Sequence, residues 1–421
     1  MIKQYIQQAL FSIREHKLQS AITIIGTALS ICLIMVLFLM QYLKVAPLSP
    51  ENKRDRILIV SQVGIEEKSE YGNSSMTGPI NHNLTKRYVR DMKTPEVVSV
   101  VSPYHATRYI SNPISKKGVD LNTKQVDANF FRLIDYTFVN GTPFTQEQED
   151  SDAKVVLLSE KSAQALFGSV DVVDQFIEID FVPFRVTGVY KDVSALSSWA
   201  YADVLMPYVH QTDYTQLITG DMVYALLLAK DKSDFPKIKE EFKERMAKAK
   251  ADYPNTQITF ANQPDPIEVS LERYSYTTDP DMTQIRLKQL LLVLILLLVP
   301  AINLSAISQS RLRNRLAEIG VRRAFGGRRV DIIVQFLIES LVLTFIGGVI
   351  GLGFSWLAIA SWSDILLNAD PEALRISLKV IFSATVISIA FFFCLLMNLL
   401  SSGIPAWRAG KANIVNALNK Q

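Results

Sequence analysis

A run of arginines between two apolar segments is the most distinctive charge pattern in the sequence. Seven arginines lie within residues 311–329, beside a single acid, Glu318. Guanidinium groups bind carboxylates and phosphates through paired hydrogen bonds, and a short positive loop next to membrane helices is retained on the cytoplasmic side. Glu318 and Arg322 are four residues apart, in the favourable order for a helical ion pair. The run therefore predicts a cytoplasmic loop with a short amphipathic helix.

Two explanations of this loop stay open. Topology alone accounts for Arg311–Arg315 and Arg328–Arg329, because positive loops stay inside the cell. It does not account for the ordered run from Glu318 to Gly326, whose apolar and basic residues suit the docking of a cytoplasmic partner. The candidate docking residues are Glu318, Ile319, Gly320, Val321, Arg322, Arg323, Ala324, Phe325 and Gly326.

Sequence motifs for catalysis or for binding a nucleotide or metal are not found. The single Gly-Lys pair, Gly410-Lys411, is followed by alanine and has no glycine five residues earlier, so it is not a P-loop. The histidines are scattered, and none has the spacing of a helical metal pair. The formal net charge of +3 does not imply nucleic acid as a partner. We therefore expect no catalytic residue, no metal site and no cofactor in this chain.

Four apolar segments must position the arginine loop. Residues 20–43, 287–308, 331–359 and 379–402 are each long enough to cross a hydrocarbon core, which needs about 20 helical residues. A secretory signal is the alternative for the first segment, but its apolar run is longer than a signal core and no Ala-x-Ala site follows. The sequence thus predicts a membrane protein with four transmembrane α-helices.

Charges that flank these segments favour one orientation. Basic residues precede the first span, fill residues 309–330 between the second and third spans, and follow the fourth span in residues 403–421. The loop at 360–378 is acidic by contrast, so we expect both termini to face the cytoplasm. Residues 1–19 have helical apolar spacing, typical either of an amphipathic helix on the inner membrane face or of the first turns of a longer helix.

The third span contains a small-residue pattern that could pack helices closely. Gly347 and Gly351 have the Gly-x-x-x-Gly spacing, and Gly348 lies beside them. Incidental flexibility is the alternative, since glycine is common in membrane helices. Glu339 is the ionisable residue of this span, and it lies near enough to the cytoplasmic end to be an ion-pair or packing residue rather than a carrier site.

Residues 44–286 form one large segment outside the cytoplasm with the pattern of an α+β domain. In its outer part, residues 44–106 and 212–270, two strand-helix-strand units predict a split fold of the ferredoxin-like type, closed by a strand at 257–260. Residues 107–211 are richer in strands and predict an inserted β-rich subdomain. Its one helix should be capped by Ser159 and ended by Gly168.

Several motifs together resemble the FtsX/MacB-type permease family. In the membrane part these are the run from Glu318 to Gly326, then Gln335-Phe336-Leu337 with Glu339-Ser340, the glycines at 347–351, and Pro405-Ala406-Trp407-Arg408-Ala409. The large external segment is similar to the MacB periplasmic core at residues 140–144, 155–159, 165–168 and 184–189. Asp174-Gln175 depart from the family pattern, which tends to have a glycine there, so a local turn can differ.

This resemblance implies the permease subunit of an ABC transporter in the inner membrane, with its large domain in the periplasm. It implies that ATP and Mg²⁺ are bound by a separate cytoplasmic ATPase, and that the run from Glu318 to Gly326 is the coupling helix that docks it. A second permease copy, identical or different, is a further expected partner, and a periplasmic adaptor or outer-membrane protein is a candidate one. Energy would pass by mechanotransmission to the periplasmic domain and drive export or extraction of a substrate.

Other function classes remain open at this stage. A receptor-like or structural anchor would use the arginine loop for topology only, and an FtsX-like protein would activate a cell-wall hydrolase. A membrane-tethered enzyme would need a pocket of convergent titratable groups, which the sequence does not indicate. The substrate is equally open among an antimicrobial peptide, a drug and a lipoprotein.

Overall fold

A computed structural model describes residues 17–69, 72–195, 197–208, 222–314, 328–362 and 384–403, with positions 7, 11 and 15. The chain divides into two units, residues 1–42 with 283–421, and residues 43–282. Most of the predicted loop at 360–378, nearly all of the tail at 403–421 and most of the predicted helix at 1–19 lie outside the described residues.

The helices are given in chain order over the described residues. Single turns of 3₁₀ helix occur at Arg54–Arg56 and Lys232–Asp234, and turns of π-helix at Thr85–Val89 and Leu399–Gly403. The α-helices are α1 Lys17–Val45, α2 His82–Leu84, α3 Phe130–Leu133, α4 Gln146–Asp150, α5 Glu160–Phe167, α6 Phe235–Asp252, α7 Ile267–Ser270, α8 Met282–Asn314, α9 Arg329–Ser361 and α10 Ala384–Asn398.

The strands all lie in the unit 43–282. They are β1 Ile57–Val60, β2 Val63–Ser69, β3 Gly72–Gly78, β4 Ile80–Asn81, β5 Val97–Val101, β6 Ala106–Ser111, β7 Gly118–Val126, β8 Phe138–Gly141, β9 Val155–Ser159, β10 Phe176–Ile179, β11 Val182–Tyr190, β12 Val204–Pro207, β13 Met222–Leu228, β14 Thr256–Thr259 and β15 Asp265–Pro266.

Three helices of the described chain are long and apolar enough to cross a membrane. They are Lys17–Val45, Ile333–Ser361 and Thr385–Gly403, which contain the predicted first span and most of the third and fourth. The predicted second span, 287–308, lies within the 33-residue helix α8. The count of four spans stays a prediction.

The outer part of the large unit is built on four antiparallel strands. Their order is β5, β13, β1 and β15, with Leu58 paired to Leu227 on one side and Pro266 on the other. Helix α6 and residues 82–92 pack on this sheet through a core that includes Phe242, Met246 and Tyr88. Two strand-helix-strand units are thus interleaved in one sheet.

One predicted strand lies elsewhere than the sequence pattern suggested. The strand expected at 257–260 is present as β14, but it pairs with β2 in a separate three-stranded sheet with β3. The two-residue strand β15 takes the position beside β1. Ile258 and Ile65 are nevertheless buried in the same core as Phe242. The apolar pattern therefore predicted correctly that this strand is buried, but it did not determine which strand it pairs with.

The β-rich part closes on itself. Strands β12, β9, β11, β10, β6 and β7 are neighbours in that order, and β12 also pairs with β7, which completes a ring of six strands. Apolar side chains of these strands and of α5 form a core of their own. The ring joins the outer sheet where Val101 of β5 pairs with Val126 of β7. Each ring strand therefore has a neighbour on both sides, which limits its pairing with other chains.

Candidate functional site

The predicted docking residues fall between two described helices. Helix α8 ends at Asn314 and helix α9 begins at Arg329. Residues 315–327, with the whole run from Glu318 to Gly326, lie outside the described residues. The docking assignment therefore stays a prediction.

The glycines of the third span face two different helices. A Cβ atom on Gly347 would collide with Oγ1 of Thr27, and one on Gly351 would come 2.5 Å from the carbonyl oxygen of Ala28, so both glycines face α1. A Cβ atom on Gly348 would collide with Sγ of Cys394 in α10. Helix α9 can approach α1 and α10 this closely only because these positions lack a side chain.

A polar contact joins α9 to α10 near Glu339. Ser340 Oγ donates a hydrogen bond of 2.6 Å to Oδ1 of Asn398, and Nδ2 of Asn398 donates one of 3.3 Å to the carbonyl oxygen of Leu337. Glu339 is itself buried, with 6% of its surface exposed. Asn398 was missed in the sequence because it lies in an otherwise apolar run, which is itself the signal that an intramembrane polar residue has a partner.

Arg54 occupies the first connection, residues 46–56, which leads from α1 into β1. Its Nη1 atom donates hydrogen bonds to the carbonyl oxygens of Leu43, Lys44 and Ala46, at 3.2, 3.1 and 3.3 Å. The last carbonyls of a helix lack intrahelical donors and carry partial negative charge. The buried guanidinium therefore caps the end of α1 with both hydrogen bonds and charge.

Glu51 completes this first connection. Its Oε2 atom accepts a hydrogen bond of 2.7 Å from Nε of Arg54, and both side chains are almost fully buried. Its Oε1 atom accepts hydrogen bonds from the backbone N–H groups of Trp199 and Ala200, each at 2.9 Å. The Glu51 carboxylate thus connects Arg54, at the C-terminal end of α1, to residues 197–202. We call these residues the Trp199 loop.

Lys124 of β7 also binds the Trp199 loop. Its Nζ atom donates to the carbonyl oxygens of Ser198 and Trp199, at 2.7 and 2.9 Å. Burial lowers the pKa of Lys124 to about 7, while the Glu51 carboxylate acts in the opposite direction. The Trp199 loop is therefore fixed between an acidic and a basic side chain that are both inaccessible to water.

Arg273 occupies the second connection, residues 267–281, which leads from β15 into α8. Its guanidinium binds both carboxylate oxygens of Asp265, and Nη2 lies 2.7 Å from Oδ1 of Asp279. Nη1 donates to the carbonyl oxygens of Ser275 and Thr278, at 3.2 and 3.1 Å. The arginine folds the chain before α8 around one buried cation.

The sequence analysis did not select these two arginines. Arg54 lies in the run Asn52-Lys53-Arg54-Asp55-Arg56, which has the pattern of a solvated charged turn. In the structure Arg54 is 1% exposed, whereas its neighbour Lys53 pairs with Asp135 near the surface. The only available signal was position, since each arginine lies within about a dozen residues of a membrane segment.

A buried acid lies where the ring meets the outer sheet. Asp127 follows β7, accepts a hydrogen bond of 2.6 Å from Oγ of Ser99 and is 1% exposed. Burial raises the pKa of Asp127 to about 7, with a smaller contribution from the Glu149 carboxylate. Among the described residues, no group of three or more His, Cys, Asp or Glu side chains could hold a metal ion.

Comparison with known families identifies the class of protein. Residues 20–245 match the MacB-like periplasmic core domain, and residues 290–414 match the FtsX-like permease C-terminal region. The chain belongs to the family of FtsX-like ABC transporter permeases that carry a MacB-like periplasmic core domain. The sequence resemblance is confirmed at this level.

Three relatives show how this match is distributed. The uncharacterized ABC transporter permease YknZ of Bacillus subtilis is 23% identical over 98% of this chain and 98% of its own length. The pyoverdine export ATP-binding/permease protein PvdT of Pseudomonas savastanoi pv. phaseolicola is 28% identical over 70% of this chain and 42% of its own length. The macrolide export ATP-binding/permease protein MacB of Shewanella oneidensis is 24% identical over 99% of this chain and 60% of its own. The matches thus span about half the length of the ATP-binding/permease relatives.

Proposed function

We propose that this chain is the permease subunit of an ABC transporter that works by mechanotransmission. A separate cytoplasmic ATPase binds ATP and Mg²⁺ and docks on the run from Glu318 to Gly326. Closure of two ATPase copies displaces the membrane helices of a permease dimer, and the displacement reaches the periplasmic domain. The match over 98% of this chain with a protein named as a permease, YknZ, supports the permease role.

One observation carries the mechanical part of this proposal. Both connections between membrane helices and the periplasmic domain are short and internally bonded, each around a buried arginine. They lead into β1 and β15, which are paired strands of one sheet. A flexible linker would absorb displacement, whereas a chain fixed by buried hydrogen bonds transmits it. These buried bonds support the proposal that the periplasmic domain is driven from the membrane.

The proposed substrate lies in the periplasm or the outer membrane leaflet. An antimicrobial peptide, a drug or a lipoprotein would be moved by the periplasmic domain, with both termini of the permease in the cytoplasm. Two relatives, PvdT and MacB, are named as exporters of pyoverdine and of macrolides. Compounds of these kinds are the first to test as substrates. A screen of such compounds for stimulation of ATP hydrolysis by the reconstituted complex would define the substrate class.

The docking assignment is tested by substitutions within and beside the ordered run. Gly320→Phe and Arg322→Glu should abolish co-purification of the ATPase and lower ATP turnover of the complex to that of the ATPase alone. Arg313→Glu is the matched control, since it reverses a charge that topology alone explains. Association and turnover that stay unchanged in both Gly320→Phe and Arg322→Glu would contradict docking and favour an anchor or receptor.

A further inference from the structure

Two hydrogen bonds join α9 to α10, and both use the side chain of Asn398. Oγ of Ser340 donates to Oδ1 of Asn398 at 2.6 Å, and Nδ2 of Asn398 donates to the carbonyl oxygen of Leu337 at 3.3 Å. The amide thus uses an acceptor and a donor on one turn of α9. Asn398 is buried, so these bonds are made within the protein rather than with solvent. We call this pair of bonds the Asn398 clasp.

We propose that Asn398 is a positioning residue for the coupling to the ATPase. The Asn398 clasp fixes the register of α10 against α9, so that a displacement delivered to the start of α9 passes to α10 without sliding. This inference rests on the proposed function, in which the ATPase docks on the run from Glu318 to Gly326. It assigns the residue that carries the displacement from one membrane helix to the next.

Close packing alone would leave this register weakly defined. Gly348 lies against Cys394 of α10, which lets the two helices approach each other. Between membrane helices the hydrophobic effect favours no single register, because lipid tails are as apolar as the side chains they would replace. A shift of one helical turn, about 5.4 Å, exceeds the distance over which a hydrogen bond forms. The clasp therefore distinguishes one register from its neighbours, as a single buried asparagine does in coiled coils.

The clasp lies near the start of α9. This helix begins at Arg329, just after the run from Glu318 to Gly326, and Ser340 is about three turns further along. Helix α9 is unbroken from Arg329 to Ser361, and rigid helices carry displacement between sites. A movement of the docking run would therefore reach Ser340 and, through the clasp, Asn398.

On α10 the clasp lies where the helix changes its hydrogen-bond pattern. Asn398 is the last residue of α10, and a turn of π-helix follows at Leu399–Gly403. Turns of π-helix are rare and are frequent at functional sites. Oγ of Ser401 donates to the carbonyl oxygen of Asn398 at 3.4 Å, and Ser401 and Ser402 are both buried. This end of α10 thus differs from a plain apolar span in its backbone and in its side chains.

The test measures one distance in the permease–ATPase complex in lipid nanodiscs. Spin labels replace Val334 and Ile387, which are exposed on α9 and α10, in a chain with Cys32→Ala and Cys394→Ala. Dilution with unlabelled permease keeps both labels in one copy. The Val334 to Ile387 distance should be narrow, and the same without nucleotide and with ADP and vanadate. A distance that differs between these two states of the otherwise unsubstituted complex overturns the proposal.

Asn398→Leu should release the register. The Ser340 hydroxyl can then donate to the carbonyl oxygen of Leu337, 3.1 Å away, so no buried donor is left unsatisfied. We expect the Val334 to Ile387 distribution to broaden roughly twofold and to differ between the nucleotide states. Co-purification of the ATPase should be unchanged. Equal distributions in Asn398→Leu and the unsubstituted complex overturn the proposal, and so does loss of the ATPase, which would indicate a role in docking instead.

Two serines of α9 provide the matched control. Ser340 and Ser355 each lie within hydrogen-bond distance of a carbonyl oxygen of their own helix, at 3.1 and 2.7 Å. Among the described hydrogen bonds, those of Ser355 stay within α9, whereas Ser340 reaches α10. Ser340→Ala should therefore broaden the distribution, while Ser355→Ala and the conservative Ser340→Thr should not. Equal broadening by Ser340→Ala and Ser355→Ala would indicate a general loss of stability and overturn the proposal.

A second distance separates this inference from the proposed function. Single labels at Ile387 in two permease copies report whether the membrane helices move during the ATPase cycle. An unchanged distance between the copies contradicts the proposed function. The Val334 to Ile387 distribution without nucleotide still decides whether Asn398 fixes the register, since that comparison requires no movement.

Discussion

The two connections to the membrane helices use the same residue type in different ways. Arg54 in the first connection binds carbonyls of the helix that has just ended, and its carboxylate partner Glu51 reaches a distant loop. Arg273 in the second connection binds carbonyls of its own segment and the carboxylate of Asp265 in the neighbouring strand β15. Glu51 is fully buried, whereas the Asp279 side chain is 44% exposed.

This difference separates long-range attachment from local folding. A buried arginine stabilises the segments that accept hydrogen bonds from its guanidinium N–H groups. Loss of those bonds would leave buried donors and acceptors unsatisfied, which is unfavourable. At the first connection those partners include the end of a membrane helix and, through Glu51, the Trp199 loop. At the second connection they are Asp265 of β15 and the turns before α8. Similar chemistry therefore predicts unequal contributions to stability, and substitutions can rank them.

Arg54→Met should have the largest effect on stability. It leaves the Glu51 carboxylate buried without its cation, and loss of one partner of a buried pair costs about 3 to 5 kcal/mol of the free energy of unfolding. Urea unfolding of the purified chain, followed by fluorescence of Trp199 with the other three tryptophans changed to phenylalanine, measures this. Glu51→Gln with Arg54→Met should recover part of the loss. A single variant as stable as the unsubstituted chain would show that the pair is not needed.

Arg273→Met should cost less, about 2 to 3 kcal/mol, although it also removes a buried guanidinium. Asp265 would stay buried, but Nζ of Lys239 lies 3.9 Å from its carboxylate and Asp279 is open to water. The same unfolding measurement applies, and Lys239→Met combined with Arg273→Met should raise the cost toward that of Arg54→Met. A larger loss for Arg273→Met than for Arg54→Met would reverse the ranking.

Asp127→Asn should change how stability depends on pH at the joint between ring and outer sheet. The folded-state pKa of Asp127 is raised to about 7. The stabilisation that the protonated carboxyl group gives the folded state is therefore fully present below the unfolded-state pKa near 4, and it is lost as pH rises toward 7. Between pH 5 and 8 the free energy of unfolding of the unsubstituted chain should therefore fall by about 2 kcal/mol relative to Asp127→Asn. Parallel pH profiles for the two proteins would contradict a buried neutral carboxyl group.

Asp279→Asn should have the smallest effect, under about 1 kcal/mol, because a half-exposed ion pair is screened by water. The Asp265 carboxylate and two backbone carbonyls still bind Arg273 in this variant. Thermal unfolding of the variant beside Arg273→Met provides the comparison. A loss as large as that of Arg273→Met would mean that Asp279, not Asp265, is the principal partner.

Much of the local structure could be predicted because its causes lie within a few residues. Alternation and apolar runs predicted the β-rich character of residues 107–211, where β7 to β12 lie, and the cap of α5 is confirmed. Ser159 Oγ accepts a hydrogen bond from the N–H of Ser162, and Gly168 ends the helix at φ +73°. Gly141, in a motif of the family resemblance, has φ +72° and lies against the backbone of Gly188.

The connections could not be predicted, since burial of a charge depends on distant partners. Glu51 and Trp199 are 148 residues apart in sequence, and Lys124 reaches Ser198 across 74 residues. Nothing near Arg54 distinguishes it from Lys53 or Arg56. The pairing of β14 was missed for a similar reason, because an apolar period states which face is buried but not which strand lies alongside.

The pairing of β1 with β15 also bears on how such a chain could arise and be redesigned. Ile59 and Asp265 are direct partners across antiparallel strands, so the periplasmic domain begins and ends at the same place. Domains whose termini are adjacent tolerate insertion into a host chain and removal from it. Residues 60–264 are therefore expected to tolerate replacement as a unit while the flanking segments are kept.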